Sequence, residues 1–430
     1  MRWPYLYPMT TLAWVANIAG ARMRGQDWRV SAATVILLVY SGVALGIAEA
    51  TRRRLPSTPA TMARYACWLP LLYLTLCYDH HSLLPRVQLL LVLALSATID
   101  AGGGVFAGPC LSVSLLLGFI SAADMLWRSP TPAVILEKHP PRYWRSDSML
   151  GYRPLADTTV SIACWRNRNR IYQVSCSFDR FGRRHTPEDP ADTPVSHTIF
   201  MGNSCTFGEN VADDQTLPAH FARLTAGIAV YNYGFIGWGP QQMLALLESG
   251  ELASQVPQTR GLMVYGVIPD HVRRVNGSYS ATAWGEQFPR YEIKDGTPQR
   301  VGSFAGSQPR RMACFRLLRS SPTLDYLARR MDRITGASPG GWKTLLSVVR
   351  RSSMEYRRQF EGSFVVFIWP FGDPQTRAMA DSLAAYGIHV IDLASRGISP
   401  PRPEQLVPFD PHPAGSYYDL VARELVTALA

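Results

Sequence analysis

Charged side chains are scarce in this sequence. They make up 17% of its 430 residues, against roughly 25% in an average soluble domain, while hydrophobic residues make up 47%. This composition excludes an intrinsically disordered chain and favours a membrane part or an unusually apolar core. Lysine is almost absent, since 40 of the 43 basic residues are arginines. The arginines are scattered and form no basic stripe, so we expect no nucleic-acid partner despite a net charge of +11.

Paired cysteines at metal-ligand spacing are also missing. The seven cysteines include no C-x-x-C motif, which excludes a zinc ribbon and a thioredoxin-like redox site. Cys67, Cys77 and Cys110 lie in apolar segments, where we expect them to be packing residues. His80 and His81 have no partner at ligand spacing, so the sequence predicts no metal site, and it predicts no cofactor either.

Apolar runs dominate the first 127 residues. Two runs are long enough to span a hydrocarbon core of about 30 Å. Three others are shorter or weaker, and the five runs together occupy residues 31–50, 101–125, 62–78, 83–98 and 4–20. Their number and spacing predict an all-α transmembrane bundle of about four or five spans over residues 1–127. The alternative for the shorter runs is interfacial or buried helices. Asp79 and Asp100 lie near span ends, so loop positions explain them more simply than a transport pathway.

Basic loop residues predict the orientation of this bundle. Arg52, Arg53 and Arg54 follow the first long run, which places that loop in the cytoplasm and the chain after Trp127 outside it. A competing basic cluster at residues 22–29 would then lie outside as well. The resulting expectation is a multi-pass protein of the cell (inner) membrane, with the lipid bilayer as a partner and its C-terminal domain outside the cytoplasm.

The composition changes after residue 127. Residues 128–194 read as a proline-rich linker and a lead-in hairpin, whose two β-rich arms flank the polar turn RNRNR. Cys164 and Cys176 lie on the two arms. They could pair across the hairpin in an oxidising compartment, or remain two free thiols, because the register cannot be read from the sequence.

Strand and helix patterns alternate over residues 195–430. This alternation predicts an α/β three-layer sandwich with a mostly parallel sheet and helices on both faces. Residues 276–353 break the rhythm and are expected to form an insertion or lid. In such folds ligands gather at the carboxyl ends of the strands, so residues that follow strands are the candidates for chemistry.

Two of these strand-end segments could supply a nucleophile and its base. In the first, a predicted strand leads into Gly202, Asn203 and Ser204, and a turn there would expose the serine hydroxyl. The alternative is a serine that caps a helix. In the second, Asp410 and His412 lie two apart just before the last helix. The imidazole could take the serine proton while the carboxylate holds its other nitrogen, or the segment could be a plain surface turn.

A third segment is rich in glycine and aromatic residues. Gly234 and Gly237 follow the second predicted strand, where their N–H groups could approach an oxyanion. The alternative is a turn that only joins strand to helix. Tyr231, Tyr233, Trp238 and Trp284 could stack on sugar rings or simply pack in the core or at its rim.

These three segments, in this order, resemble the SGNH (GDSL-like) hydrolase superfamily, whose fold is flavodoxin-like. The first block of the family resembles G-D-S-x-T-x-G and is matched by residues 202–208. The second resembles N-x-G-x-x-G and is matched by Asn232, Gly234 and Gly237. The last resembles D-x-x-H-P and is matched by Asp410 and His412 with one spacer residue fewer. The resemblance covers about residues 150–430.

The resemblance implies a role for each matched residue. Ser204 would be the nucleophile, His412 the general base and Asp410 the residue that orients it. The N–H groups of Ser204 and Gly237 would face the oxyanion, and Asn232 and Trp238 would contact substrate. The family also uses an asparagine after the third strand, where this chain has Pro269. His271 is our candidate for a substitute donor.

Two classes of function remain open on this basis. The first is a membrane-anchored serine esterase or O-acyltransferase that acts on acyl esters of cell-surface carbohydrate, such as an O-acylated polysaccharide. The second is a non-catalytic, membrane-anchored carbohydrate-binding or assembly protein on the same fold, which the missing asparagine favours. Because fold does not fix function, the substrate class is an expectation by analogy.

Overall fold

A computed structural model describes residues 134–187, 194–335, 339–371 and 375–430. The predicted membrane spans, the linker before residue 134 and the three N-terminal cysteines lie outside the described residues. Within the described residues no helix has both the length and the apolar character needed to cross a bilayer. Pro130–Ala313 and Arg329–Ala430 fall into one compact unit, which contains the whole parallel sheet.

The described strands form one parallel sheet and three small antiparallel sheets. In chain order they are β1 (Val134–His139), β2 (Trp144–Asp147), β3 (Gly151–Pro154), β4 (Thr159–Arg166), β5 (Asn169–Ser177), β6 (Ser196–Met201), β7 (Ile228–Asn232), β8 (Arg260–Val267), β9 (Pro289–Lys294), β10 (Thr297–Ser303), β11 (Glu361–Ile368) and β12 (His389–Asp392).

The described α-helices are mostly short, apart from three of 14 to 21 residues. In chain order they are α1 (Ser204–Phe207), α2 (Leu217–Leu224), α3 (Pro240–Glu248), α4 (Glu251–Gln255), α5 (His271–Val275), α6 (Thr282–Gly285), α7 (Phe304–Ser307), α8 (Pro309–Arg319), α9 (Pro322–Thr335), α10 (Pro339–Gln359), α11 (Gln375–Ala385) and α12 (Gly415–Leu429).

The central sheet has five parallel strands in the order β12-β11-β8-β6-β7. Its middle strands are continuous apolar runs because they are covered on both faces. Phe200, Val264 and Val365 lie side by side across three strands and join one core with α2 and α12. Helices α3 and α10 pack together, and α10 also packs on β11. The predicted parallel α/β sandwich is thereby confirmed.

The strand order creates a crevice beside β6. The chain leaves β6 for the outer strand β7, then crosses back to β8 on the other side of β6, and continues to β11 and β12. The loops after β6 and β8 therefore run in opposite directions from neighbouring strands. In open parallel sheets this switch point at the carboxyl ends of the strands is where ligands bind.

The segment predicted as an insertion contains more of the core fold than expected. Residues 276–353 include the β9–β10 hairpin and several helices, but they end inside α10. Helix α10 continues to Gln359 and leads directly into β11, so it is the covering helix that precedes that strand. Its many arginines hid this role in the sequence, because the apolar stripe that faces the sheet is narrow.

The lead-in hairpin forms as predicted. Strands β4 and β5 pair antiparallel around a turn at Asn167 and Arg168, both with positive φ, as a tight two-residue hairpin requires. Cys164 lies opposite Tyr172, and Cys176 lies opposite Val160. Four residues of strand, about 13 Å, therefore separate the two cysteines, and both are buried free thiols. The possible disulfide between them is not present.

Candidate active site

Strand β6 delivers Ser204 to the crevice. The strand ends at Met201, and Asn203 caps α1 by accepting a hydrogen bond from the N–H of Cys205 at 3.0 Å. Because Asn203 is the cap, Ser204 is the first helical residue and its hydroxyl is free for other contacts. Gly202 allows this tight approach, since a side chain there would collide with Thr206. The cap that the sequence offered as the alternative role of Ser204 thus falls to its neighbour.

His412 joins the hydroxyl of Ser204 to the carboxylate of Asp410. Its Nε2 lies 2.8 Å from Ser204 Oγ, and its Nδ1 lies 2.5 Å from Asp410 Oδ1. The same carboxylate oxygen accepts the backbone N–H of His412 at 2.9 Å. Asp410 Oδ2 accepts a hydrogen bond from Asn210 Nδ2 at 3.0 Å. Despite the shorter spacing between Asp410 and His412, the three predicted groups meet within hydrogen-bond distance.

The local electrostatics favour a charged imidazole. Burial by itself would lower the pKa of His412, but the hydrogen bond that it donates to Asp410 and the nearby charges of Glu209 and Asp410 outweigh it and raise that pKa above its ordinary value. Burial would raise the pKa of Asp410, yet its hydrogen bonds and the charge of His412 lower it overall. The pair is therefore arranged to accept a proton at Nε2 while Asp410 stays ionised.

Two backbone N–H groups could face an oxyanion beside Ser204. Among the described residues, the N–H groups of Ser204 and Gly237 meet no acceptor. Gly237 has φ of 75°, and the Tyr152 hydroxyl and Trp284 indole enclose it, so no other residue fits there. Tyr152 also donates to the Ile236 carbonyl at 2.6 Å. These contacts hold the loop in the conformation that leaves its N–H unused.

The imidazole of His271 does not occupy the place that the sequence suggested. Its ring is fully buried, its Nδ1 lies 2.9 Å from the Tyr265 hydroxyl, and its Nε2 is shielded from solvent. Burial, together with the charge of Arg274, lowers its pKa well below the ordinary value, which makes the ring neutral. A substrate cannot reach this nitrogen in the described conformation. The placement argues against the predicted role of His271 as an oxyanion donor.

Arg274, and not His271, contacts the loop after β7 that contains Gly234 and Gly237 (the glycine loop). This residue is 8% exposed, and its Nη1 donates to the Trp238 carbonyl at 2.7 Å while its Nε donates to Asp270 at 2.9 Å. Its Nη2 makes no hydrogen bond with any described residue. The guanidinium also lies 6.0 Å from the ring of Trp284, whose indole nitrogen is 3.5 Å from the Gly237 carbonyl. No sequence pattern indicates this contact, because Arg273 and Arg274 are adjacent and only the helix geometry distinguishes their directions.

Neither predicted substrate contact is available to a substrate. Asn232 is 1% exposed, and its amide donates to the carbonyls of Thr206 and Phe207, both at 3.3 Å, while its oxygen accepts the N–H of Gly234 at 3.0 Å. It ties the glycine loop to α1. Trp238 is 5% exposed and donates to the Tyr152 carbonyl at 3.2 Å. Both are therefore structural residues, because all their polar groups are already used inside the protein.

The remaining aromatic candidates divide in the same way. Tyr233 is buried, and its hydroxyl donates to Gln255, while the hydroxyl of the half-buried Tyr231 donates to Gln258. Trp284 is 44% exposed. Only Trp284 among these four aromatic residues therefore offers a face to a sugar ring beside Gly237.

Glu209 is a site residue that the sequence analysis did not single out. Its carboxylate Oε2 lies 3.5 Å from His412 Nε2, and its Oε1 lies 3.8 Å from Lys138 Nζ. Its backbone N–H donates to the Ser204 carbonyl at 3.0 Å. Glu209 and Asn210 directly follow the first motif, so their proximity to Ser204 in the chain was the one available signal.

A buried arginine, Arg184, binds the backbone of residues 204–213, the segment that begins with Ser204 (the nucleophile segment). The side chain of Arg184 has no exposed surface and donates to the carbonyls of Phe207, Gly208 and Val211 and to the carboxylate of Asp213. Its backbone also bridges to the end of β7. This arginine satisfies the carbonyls at the end of α1, which a short buried helix cannot satisfy alone. The lead-in segment is therefore part of the same unit as the site.

Comparison with known proteins gives distant likenesses only. No protein-family model and no curated protein sequence matches the chain. Solved structures that resemble it include a member of the lipolytic G-D-S-L family from Veillonella parvula (14% identity, 54% of this chain and 97% of that one, TM-score 0.30). A psychrotrophic esterase from Pseudoalteromonas sp. is 12% identical over 55% of this chain and 97% of that one, with a TM-score of 0.28.

A catalytic mutant of an acetylxylan esterase from Geobacillus stearothermophilus shows a likeness of the same order. It is 13% identical over 55% of this chain and 94% of its own, with a TM-score of 0.32. Because none of these scores reaches 0.5, the assignment of function rests on the site geometry of this chain alone.

Proposed function

We propose that the protein is a serine esterase or O-acyltransferase of the SGNH type that acts on acyl esters. The observation that carries this proposal is the position of His412, 2.8 Å from Ser204 Oγ on one side and 2.5 Å from Asp410 on the other. A serine hydroxyl is a weak nucleophile by itself and needs an adjacent base of this kind. Ser204 and the Asp410–His412 pair come from distant parts of the chain and meet at the switch point of the sheet.

The reaction has two half-steps. In the first, His412 Nε2 takes the proton of Ser204 as Oγ attacks the ester carbonyl, and the imidazolium then protonates the leaving alcohol as the ester bond breaks. This leaves an acyl group on Ser204. In the second, His412 takes a proton from the incoming hydroxyl, which attacks the acyl carbon, and returns that proton to Oγ as the acyl group departs. Water gives hydrolysis, and a sugar hydroxyl gives transfer.

The negative charge of each tetrahedral intermediate needs hydrogen-bond donors. The N–H groups of Ser204 and Gly237 meet no acceptor among the described residues and are our two candidates. We assign the third contribution to the guanidinium of Arg274, because its charge acts on both His412 and Cys205 and its Nη2 has no partner in the part of the chain that the structure describes. Arg274 would thereby take the place of the asparagine that the SGNH family uses.

We propose further that residues 1–127 anchor the enzyme in the cell membrane, with the catalytic domain outside the cytoplasm and acting on O-acylated cell-surface carbohydrate. Hydropathy and basic loops support the first part. The exposed indole of Trp284 beside Gly237 supports the second, because aromatic faces suit sugar rings. A reporter enzyme active only outside the cytoplasm, fused after residue 430, should be active in cells. A signal only from a cytoplasmic reporter would contradict this topology.

A serine-reactive fluorophosphonate separates the enzyme from the alternative. That alternative is a non-catalytic carbohydrate-binding or assembly protein, and the observation favouring it is Pro269 in place of the asparagine. The full chain in detergent should be labelled, and Ser204→Ala should not be. Absence of label on folded wild-type protein would favour the binding protein, and hydrolysis of 4-nitrophenyl acetate provides the matching activity measurement.

A further inference from the structure

We propose that Glu209 selects the nucleophile of the second half-step, so that the acyl-enzyme reacts with a hydroxyl that carries a second hydrogen-bond donor, namely water or one hydroxyl of a vicinal diol. The inference rests on the proposed function, since it concerns the fate of the acyl group on Ser204. Its basis is the pair of contacts at His412 Nε2, which faces Ser204 Oγ at 2.8 Å and Glu209 Oε2 at 3.5 Å.

The imidazole leaves only one nitrogen for this chemistry. Asp410 holds Nδ1 and Ser204 faces Nε2, so the ring cannot flip without losing both contacts. Nε2 therefore handles the proton in both half-steps. Once Ser204 carries an acyl group, its Oγ no longer offers a proton to Nε2, and the attacking hydroxyl must approach the same nitrogen.

Glu209 is fixed beside that approach. It follows the left-handed residue Gly208 at the end of α1, and its N–H donates to the Ser204 carbonyl. Its Oε1 faces Lys138 at 3.8 Å, and Lys138 in turn donates to the Tyr143 hydroxyl at 3.3 Å. The side chain is only 15% exposed. These contacts direct Oε2, and not Oε1, towards the imidazole.

The spacing suits a bridging oxygen better than a direct hydrogen bond. At 3.5 Å, Oε2 and Nε2 are further apart than the roughly 2.7–3.2 Å of a good N–H···O bond. An oxygen about 2.8 Å from each atom could donate to both. Water has two hydrogens for these two acceptors. A simple alcohol has one, which Nε2 must receive, and Oε2 of the largely buried Glu209 is then left without a donor, while Oε1 keeps its ion pair with Lys138.

A vicinal diol meets the same requirement as water. One hydroxyl gives its proton to Nε2 and attacks the acyl carbon, while the neighbouring hydroxyl donates to Glu209. Sugars carry such pairs on adjacent ring carbons. A buried carboxylate without a donor is costly, and hydrogen bonds to charged groups are among the stronger ones in proteins. We therefore expect Glu209 to discriminate against monohydric acceptors.

Partition of the acetyl-enzyme measures this preference after acylation is complete. The full chain in detergent hydrolyses 4-nitrophenyl acetate in the presence of either 1-propanol or 1,2-propanediol, and acetate and acetyl esters are quantified against the nitrophenol released. For wild type we expect transfer to the diol to exceed transfer to propanol by about tenfold or more at equal concentration. In Glu209→Ala the ratio should fall to about two, the statistical value for two hydroxyls, and hydrolysis should slow relative to acylation.

The controls keep the outcomes separate. Glu404→Ala removes a carboxylate from the exposed turn before Asp410 and should retain the wild-type ratio. Glu209→Gln keeps the size of the side chain and a neutral acceptor, so it should give an intermediate ratio of diol to propanol transfer. It also shows whether the result for Glu209→Ala comes from misfolding rather than from loss of the carboxylate. If hydrolysis slows in Glu209→Ala but the ratio of diol to propanol transfer is unchanged, Glu209 positions water alone. If hydrolysis and this ratio both fall, Glu209 positions diols as well.

Two results count against the inference, and they differ from each other. If Glu209→Ala releases nitrophenol with the wild-type partition among water, propanol and diol, the inference is wrong and the proposed function stands. If wild type neither releases nitrophenol nor reacts with a fluorophosphonate, the proposed function is wrong and the inference falls with it.

Discussion

The loops that follow β6 and β8 leave the same edge of the sheet, but only the first places its side chains as the sequence predicts. After β6, the chain places the predicted residues together: a capped turn directs the Ser204 hydroxyl to His412, and Glu209 and Asn210 contact His412 and Asp410. After β8, Pro269 replaces the expected asparagine, His271 turns into the core, and Arg274 reaches the glycine loop from the next helical turn. The proton-transfer half of the candidate site thus has the geometry that the sequence predicts, whereas the half after β8 is rebuilt relative to that prediction, because His271 is buried and Arg274 contacts the glycine loop.

The largest effect should come from the proton-transfer half. His412→Ala removes the base from Ser204, and we expect kcat/KM for 4-nitrophenyl acetate to fall by about 10³-fold or more. Thermal unfolding serves as the control, because the ring is near the surface of the crevice and its loss should cost little stability. A variant that retains more than a tenth of the activity would remove the basis for treating this loop as catalytic.

The next largest effect should be on stability. Arg184→Met removes a charged donor from the carbonyls of Phe207, Gly208 and Val211 and the cationic partner of Asp213, and breaking a buried pair in this way costs about 3–5 kcal/mol. Denaturant unfolding measures the loss in the full chain. Arg423→Met, which removes an exposed pair with Asp419 on α12, should cost much less. Equal losses of unfolding free energy in both variants would mean that Arg184 does not stabilise the segment after β6.

The rebuilt half is tested by two neighbouring arginines. Arg274→Gln should lower kcat by about 10²-fold, as loss of an oxyanion donor does elsewhere, with a smaller change in KM. Arg273→Gln is the matched control. Arg273 lies on the same helix and also pairs with Asp270, at 3.6 Å, but it donates to the Arg333 carbonyl and not to the glycine loop. Similar kinetics for the two variants would show that Arg274 acts only through packing.

The smallest effect concerns pH. His412 must be neutral to accept a proton, so kcat/KM should fall as the pH drops through its pKa, which the surrounding carboxylates raise above the ordinary value. Glu209→Gln removes one of these charges, and we expect the acid limb of the profile to move to lower pH. Glu404→Ala should leave the limb in place. A shift to higher pH in Glu209→Gln would contradict the assigned charge of Glu209.

The sequence predicts the parts of this site that depend on strand ends. The apolar runs of β6, β8 and β11 define a parallel sheet, and its carboxyl edge brings Ser204 and His412 into one crevice whatever the details of the loops. The same reasoning misplaced His271 and missed Arg274, because both side chains are buried on one short helix and no local pattern tells which of them reaches the glycine loop. Asn232 and Trp238 were misassigned since only tertiary packing reveals that their polar groups already have partners. Cys164 and Cys176 do not face each other because they lie at unequal distances from the turn at Asn167 and Arg168, a placement that becomes definite only once the pairing register is known.

The most direct test of the central claim is the rate at which a fluorophosphonate modifies Ser204, followed by intact mass and peptide mapping. If His412 activates the hydroxyl, wild type should acquire one adduct on the peptide that contains Ser204, and His412→Ala should react at least about 10²-fold more slowly. An adduct on any other residue, or equal rates in the two proteins, would contradict the account.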